Sequence, residues 1–342
     1  MERYEHGERY EHREHSTVST GATIDMSVDL AGTRLPNPLM TASGCAANGR
    51  ELHQFFDIAR LGAFVTKTVM ADPRSGRGTP RMAETPSGML NSIGLQGPGI
   101  TDFAAGDLVW LKSVGARVLV SIAGNTADEY GDVAAALVRS PAFDAVVGVE
   151  VNISCPNVAN RGLVFACDPL SSAKVISLVR EKVPPGVPIF AKLSPDVTDI
   201  VEIAGACVKA GADGLTMINT LLAMVIDTEL LRPQVAGVTG GLSGPGIRPV
   251  AVRAIWQVRA AMLGGRLPTV PIIGVGGVRT GDDALQLVAA GASAIQVGTA
   301  TFNDPKAPLR VNLELAAALE AKGFARFSDV VGIAHTRLDQ RP

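Results

Sequence analysis

Short apolar runs alternate with longer stretches of helical periodicity over most of this chain. Eight of the runs are only four or five residues long, which is typical of buried strands. The predicted strands are residues 39–42, 63–67, 118–122, 147–151, 189–193, 214–218, 272–275 and 294–297. The predicted helices between them are residues 50–60, 102–114, 128–138, 170–182, 198–210, 247–263 and 281–290. Eight strand–helix units in one series predict an α/β fold, a single-domain (β/α)8 barrel of the TIM type.

A doubly wound parallel sheet is the competing architecture, but it would not need eight strand–helix units. Two connections, residues 68–101 and 220–246, are longer than ordinary loops between a strand and a helix. We interpret both as insertions at the active site. The first contains Thr79-Pro80-Arg81, and we expect it to form part of a lid or a small hairpin.

The chain begins with a charged segment that contains a repeat. The pentapeptide ERYEH occupies residues 2–6 and again 8–12. Because this segment is dense in charge and has no apolar face, we predict that residues 1–25 are a disordered tail. The alternative is an upstream start, with Met26 as the real beginning. Residues 26–342 are predicted to form the barrel domain.

Composition narrows the class of protein. With 342 residues, 46% of them hydrophobic, the chain can bury a large core in one barrel. The formal net charge of −2 gives no electrostatic reason to bind nucleic acid or an anionic membrane. No apolar run approaches the roughly 18 residues that span a bilayer, and the charged N-terminus lacks the apolar region of a signal peptide. We therefore predict a soluble, cytoplasmic protein without nucleic-acid or membrane partners.

Cysteine and histidine are sparse and form no metal-binding pattern. There is no CxxC pair and no zinc or iron–sulfur spacing among the four cysteines, which are Cys45, Cys155, Cys167 and Cys207. Outside the tail only His53 and His335 remain, and neither follows a predicted strand. The barrel also has no carboxylate cluster for Mg²⁺ and no GxGxxG motif after a strand. The sequence thus predicts no metal site, no bound dinucleotide and free thiols.

The segment Asn152-Ile153-Ser154-Cys155-Pro156-Asn157 directly follows the fourth predicted strand. Pro156 cannot continue that strand, so Cys155 is expected at its carboxyl end, where barrel enzymes collect their catalytic groups. A thiol between two carboxamides can take or give a proton while its neighbours hold a polar ring. The alternative is a small buried hydrophobe, the commonest role of a free cysteine. The position after a strand favours the catalytic role.

Small residues follow the last two predicted strands, as Gly276-Gly277 and Gly298-Thr299. Backbone N–H groups without bulky side chains can approach phosphate oxygens closely. The first pair alone could equally form an ordinary tight turn. The second pair, one strand later, favours a phosphate site.

Lys67 and Lys192 lie in the ends of the second and fifth predicted strands. Lysine is rarely buried without a partner, so two lysines at one pocket indicate an anionic ligand or a charge that develops during a reaction. The alternative is that both side chains extend to solvent. A phosphate site together with a lysine suited to the N1–C2=O edge of a reduced flavin indicates FMN.

Carboxamides are the remaining candidates for ligand binding. Each offers a donor and an acceptor, which suits a ring with alternating N–H and C=O groups such as a dihydropyrimidine. They are Asn91, Asn152, Asn157 and Asn219. The alternative is that these asparagines only cap turns.

Nine motifs, in this order, make the chain resemble the class 1 dihydroorotate dehydrogenases, in particular the catalytic subunit of the NAD-linked type B enzymes. They are ASGC at 42–45, KT at 67–68, TPRMAETPSGMLNSIGLQGPG at 79–99, NISCPN at 152–157, AKLSPDVTDI at 191–200, GADGLTMINT at 211–220, GGLSGPGIRP at 240–249, PIIGVGGV at 271–278 and ASAIQVGTA at 292–300. The resemblance covers residues 26–335, nearly everything but the tail.

The resemblance implies oxidation of (S)-dihydroorotate to orotate in de novo pyrimidine biosynthesis. Cys155 would remove the C5 proton as the C6 hydride passes to N5 of FMN, a role that class 2 enzymes give to serine. FMN would be held by Ser43, Lys67, Thr68, Asn152, Lys192, Ile218, Gly244, Gly276, Gly277, Gly298 and Thr299. The substrate would be held by Lys67, Asn91, Ser92, Ile93, Gly94, Leu95, Asn152, Asn219 and Thr220.

The resemblance also implies partners. Electrons would pass to NAD through a separate subunit that carries FAD and a 2Fe-2S cluster, attached to a homodimeric core. The alternatives are a fumarate-linked class 1 enzyme, a dihydropyrimidine dehydrogenase-like enzyme or, outside the enzymes, a barrel that binds a phosphorylated metabolite.

One residue departs from the family pattern. Ser121 stands where the family usually has asparagine, so we do not predict it as a flavin ligand.

Overall fold

The structure, a computed structural model, describes residues 24–154 and 167–336. Its strands are β1 (Val28–Leu30), β2 (Thr33–Leu35), β3 (Leu39–Thr41), β4 (Phe64–Val65), β5 (Met82–Thr85), β6 (Gly88–Asn91), β7 (Val118–Ile122), β8 (Val146–Asn152), β9 (Ile189–Leu193), β10 (Gly214–Met217), β11 (Leu221–Ala223), β12 (Ile226–Asp227), β13 (Arg232–Pro233), β14 (Gly240–Ser243), β15 (Ile272–Val275) and β16 (Ala294–Val297). Its α-helices are α1 (Arg50–His53), α2 (Ile100–Asp102), α3 (Leu108–Ser113), α4 (Ala127–Val138), α5 (Pro169–Lys182), α6 (Ile200–Lys209), α7 (Arg248–Leu263), α8 (Gly281–Ala290) and α9 (Ala307–Ala321).

Eight parallel strands form the centre of the molecule, in the order β3-β16-β15-β10-β9-β8-β7-β4. The two end strands meet through a parallel bridge between Met40 and Ala63. Beside this bridge the Thr41 hydroxyl accepts the Val65 N–H at 2.9 Å and donates to the Val65 carbonyl at 3.2 Å. The sheet therefore closes, and the predicted (β/α)8 barrel is confirmed over the doubly wound alternative.

Each predicted strand overlaps an observed barrel strand, because apolar runs buried on both faces leave a clear signal. The predicted helix 50–60 is wrong beyond His53. Asp57 is extended, and its carboxylate accepts the Ala59 N–H at 3.0 Å, which starts a separate 3₁₀ turn at Ile58–Arg60. The β1–β2 hairpin and helix α9 were not predicted.

The two predicted insertions form one antiparallel sheet, in the order β11-β14-β6-β5, which we call the insertion sheet. The hairpin expected in the first insertion is present as β5 and β6. Strand β6 pairs with β14 of the second insertion, with Asn91 opposite Gly241. The insertions thus cover the barrel together rather than as two separate loops.

Both ends of the chain lie outside the described residues. At the N-terminal end these are residues 1–23, which make up most of the predicted tail. Ile24 and Asp25 belong to the ordered part, since the Asp25 N–H donates to the Ala325 carbonyl at 3.0 Å. Across residues 24–154 and 167–336, no helix combines the length and apolar character needed to cross a membrane. The same residues contain no group of three His, Cys, Asp or Glu side chains that could hold a metal ion.

Candidate functional site

A cavity of about 1410 Å³ opens at the carboxyl ends of the barrel strands and is bordered on its other side by the insertion sheet. All the residues predicted to hold the cofactor line it, namely Ser43, Lys67, Thr68, Asn152, Lys192, Ile218, Gly244, Gly276, Gly277, Gly298 and Thr299. Of the other residues predicted to hold the substrate, Asn91, Ile93, Leu95, Asn219 and Thr220 also line it. Ser92 and Gly94 do not line it. Ser92 is buried, and its hydroxyl accepts a hydrogen bond from Arg77 at 3.0 Å.

Lys192 is the cation at the floor of this cavity. It lies on β9, and only 5% of its side chain is exposed. Its Nζ donates to the Ser43 hydroxyl at 2.8 Å and to Glu150 Oε1 at 3.2 Å. The other carboxylate oxygen of Glu150 accepts from Gln296 Nε2 at 2.8 Å. A buried ammonium is stable here because a carboxylate lies beside it.

A row of polar side chains runs from the cavity into the barrel wall. Asn219 Nδ2 donates to Asn152 Oδ1 at 3.0 Å, and Asn152 Nδ2 donates to the Thr68 hydroxyl at 3.3 Å. Thr68 shares a hydrogen bond of 3.0 Å with Ser121. Ser121 does not line the cavity, so it acts through Thr68. The row fixes the orientation of both carboxamides, which is what recognition of a polar ring requires.

Lys67 is a second cation in the cavity wall, near the thiol of Cys45. Burial lowers the pKa of Lys67, the nearby Cys45 thiol opposes that shift, and the charge of Lys192 adds to it. Burial likewise raises the pKa of Cys45, against the effect of the two lysines. Lys67 takes part in none of the ion pairs among the described residues, which leaves its charge available to an anionic ligand.

Glycines bring the loops after β15 and β16 close to the start of α7. Gly276 and Gly277 have φ values of +139° and +74°. A Cβ on Gly277 would lie 2.7 Å from the Arg248 Cβ and 2.9 Å from the Gly244 carbonyl oxygen. The N–H groups of Gly276 and Gly277 have no acceptor among the described residues. Unpaired N–H groups in a glycine loop suit the oxygens of a phosphate, so these residues fit a phosphate group.

We expect Gly277→Ala to lower the flavin content of the purified protein and to destabilise it by about 1–3 kcal/mol, since the methyl group meets α7 in a strained backbone region. Gly186→Ala is the matched control. Gly186 also has a positive φ, +91°, but lies in open space between α5 and β9, away from the cavity. It should cost about 1–2 kcal/mol of stability and leave the flavin absorbance per protein unchanged. Equal flavin content in both variants would contradict the phosphate site.

Two functional candidates of the sequence lie outside the described residues, Cys155 and Asn157. Two further residues were missed by the sequence analysis. Glu150 accepts a hydrogen bond from Lys192 inside the barrel, and Gln296 donates to Glu150. The available signal was a charged residue within the apolar run Val146–Asn152, two positions before Asn152 and therefore on the same face of β8.

Comparisons with known proteins agree on one family. A sequence model described as Dihydroorotate dehydrogenase matches residues 25–319. The chain is similar to proteins named "Dihydroorotate dehydrogenase B (NAD(+)), catalytic subunit". It is 48% identical to the one from Geotalea uraniireducens (strain Rf4) over 308 residues, which are 90% of this chain and 97% of that protein. It is 47% identical to the one from Geotalea daltonii over 311 residues, 91% of this chain and 98% of the relative.

Proposed function

Since the chain belongs to the dihydroorotate dehydrogenase family, we propose that it oxidises dihydroorotate to orotate in pyrimidine biosynthesis with FMN as its cofactor. The enzymes of this family are flavoproteins. The observation that carries the proposal is the cavity at the strand ends, which combines a glycine loop for a phosphate, a buried Lys192 and a row of carboxamides.

Residues at both ends of the cavity would hold FMN. The loops at Gly244, Gly276-Gly277 and Gly298-Thr299 would bind its phosphate, and Lys192 with Ser43 would bind the ring edge on which negative charge develops. When bound, FMN supplies the acceptor for the hydride that dihydroorotate loses.

The polar row and Lys67 would hold the substrate. Dihydroorotate is a ring of alternating N–H and C=O groups with one carboxylate. Asn152 and Asn219 are pinned by their mutual hydrogen bond, so they can offer a donor and an acceptor without reorganising. Lys67, which has no carboxylate partner among the described residues, would attract the substrate's charge. Asn91 reaches the cavity from the insertion sheet, where its Nδ2 donates to the Gly241 carbonyl at 3.2 Å.

Cys155 would act as the base that removes the C5 proton. In the sequence it follows β8 by three residues, counted from the strand's last residue, Asn152. A thiol has an ordinary pKa of about 8.5, close enough to neutrality for general base catalysis. No histidine lines the cavity among the described residues, so the proposal gives this task to the thiol.

The route of the electrons beyond FMN is part of the proposal. The relatives are named as catalytic subunits of NAD(+) enzymes. The four cysteines of this chain have no iron–sulfur spacing, and the chain has no GxGxxG after a strand. We therefore propose a separate electron-transfer subunit with FAD and a 2Fe-2S cluster, bound to a homodimer of this chain.

We expect the purified chain to be yellow and to oxidise dihydroorotate with an artificial dye, but to reduce NAD poorly or not at all. The measurement compares orotate formation with the dye, with NAD and with fumarate, each with and without a candidate flavin and iron–sulfur partner. NAD reduction by the chain alone at the rate of the dye assay would contradict the partner. Turnover with fumarate would assign the fumarate-linked branch, and a protein without flavin would leave a metabolite-binding barrel.

A further inference from the structure

Glu150 is fully buried on β8 and does not border the cavity. Each of its carboxylate oxygens has a single donor, Lys192 Nζ on one side and Gln296 Nε2 on the other. Lys192 lies on the adjacent strand β9 and Gln296 on β16, across the barrel from β8, so two sides of the barrel converge on one carboxylate. Glu150 can therefore influence a ligand in the cavity only through Lys192.

The orientation of Gln296 gives the Glu150 carboxylate a second donor. Its Nε2 faces Glu150 while its Oε1 is buried without a hydrogen-bond partner among the described residues. A buried oxygen without a partner is unfavourable. The reverse orientation would place two acceptor oxygens against each other. The hydrogen bond from Nε2 to Glu150 therefore offsets the cost of leaving the Gln296 Oε1 without a partner.

Several charges and thiols face Lys192 from the surrounding elements. Glu150 is on one side, and Lys67 and Cys45 interact with Lys192 across the cavity. Cys155, outside the described residues, follows the same strand as Glu150. With both lysines protonated and Cys45 neutral, the charges of Lys67, Lys192 and Glu150 add up to one net positive charge. Two of the three Lys192 N–H donors are used by Ser43 and Glu150, which leaves one for a ligand.

We propose that Glu150 is a positioning residue that holds Lys192 Nζ at the cavity, and that its negative charge thereby helps to set the reduction potential of the bound flavin. This inference rests on the proposed binding of FMN beside Lys192. Without Glu150 the ammonium is buried with no counter-charge. The net charge that faces the flavin is then more positive.

The test is the midpoint potential of the bound flavin, measured in wild type and in Glu150→Gln. The variant removes the negative charge beside Lys192, so its potential should be more positive than in wild type. We expect a change of at least tenfold in the equilibrium constant of reduction, about 30 mV for a two-electron couple.

Thr216→Val is the matched control. Thr216 lies opposite Lys192 on the next strand, is fully buried, and its hydroxyl has no partner among the described residues. The substitution changes the barrel interior without changing charge, so its potential should follow wild type. Equal potentials for Glu150→Gln and wild type would overturn the proposal. So would an equal effect of Thr216→Val.

A thermal unfolding cycle tests the same pair without relying on flavin. We expect Glu150→Gln and Lys192→Met each to lower the melting temperature, and the double variant to lie closer to wild type than either, since it buries no unpaired charge. Additive losses would overturn the inference. A wild-type protein purified without flavin would instead overturn the proposed function and leave this cycle still decisive for the pair.

Discussion

Replacing Cys155 with serine is expected to slow reduction of the bound flavin by dihydroorotate about 10²–10⁴-fold at neutral pH, the usual contribution of a general base. A serine hydroxyl gives up its proton far less readily than a thiol. Flavin content and substrate affinity should remain as in wild type, since the substitution changes one atom. Rapid mixing under anaerobic conditions, followed by the flavin absorbance, measures the step directly.

The other cysteines supply the controls. Cys45 is a second thiol in the cavity wall, and burial raises its pKa. Cys207 is on α6, where burial raises its pKa to about 12. Neither is suited to act as a base at neutral pH, so Cys45→Ser and Cys207→Ser should reduce flavin at rates close to wild type. A slow Cys45→Ser variant beside a fast Cys155→Ser variant would transfer the role of base to Cys45.

The strand ends could be predicted because two separate signals coincide there. Apolar runs give the strands, and the residues that follow each run must then lie at one end of a barrel. That reasoning brought Ser43, Lys67, Asn152 and Lys192 to one place, and all four line the cavity.

Glu150 and Gln296 could not be found in this way, because both lie inside runs that were assigned as buried strands. A charge inside an apolar run marks Glu150 as unusual, but its partners follow from the arrangement of β8, β9 and β16 around the barrel, which no local pattern contains. The pairing of the two insertions is similar. Asn91 and Gly241 are 150 residues apart, and their hydrogen bond depends on the closed barrel beneath them. Strands as short as β11, with three residues, and β13, with two, carry too little periodicity to be assigned from sequence.

Lys192→Met is expected to have two large effects that arise from the same charge. The substitution removes the cation that faces the developing negative charge of the flavin, and loss of one such preorganised group lowers a rate about 10²–10³-fold. It also leaves Glu150 as a fully buried carboxylate with Gln296 as its remaining donor. Breaking a buried pair in this way costs about 3–5 kcal/mol of stability.

The two effects of Lys192→Met can be measured separately and compared with a surface charge change. Denaturant unfolding gives the stability, and anaerobic rapid mixing on the flavin-containing fraction gives the rate of flavin reduction. Lys174→Met, on the exposed face of α5, removes the same charge far from the barrel interior and should change neither quantity appreciably. A Lys192→Met protein as stable as wild type would show that Glu150 is not held as a carboxylate. If the flavin of Lys192→Met were reduced at the wild-type rate, the cation that stabilises the reduced flavin would be Lys67, the other lysine of the cavity wall.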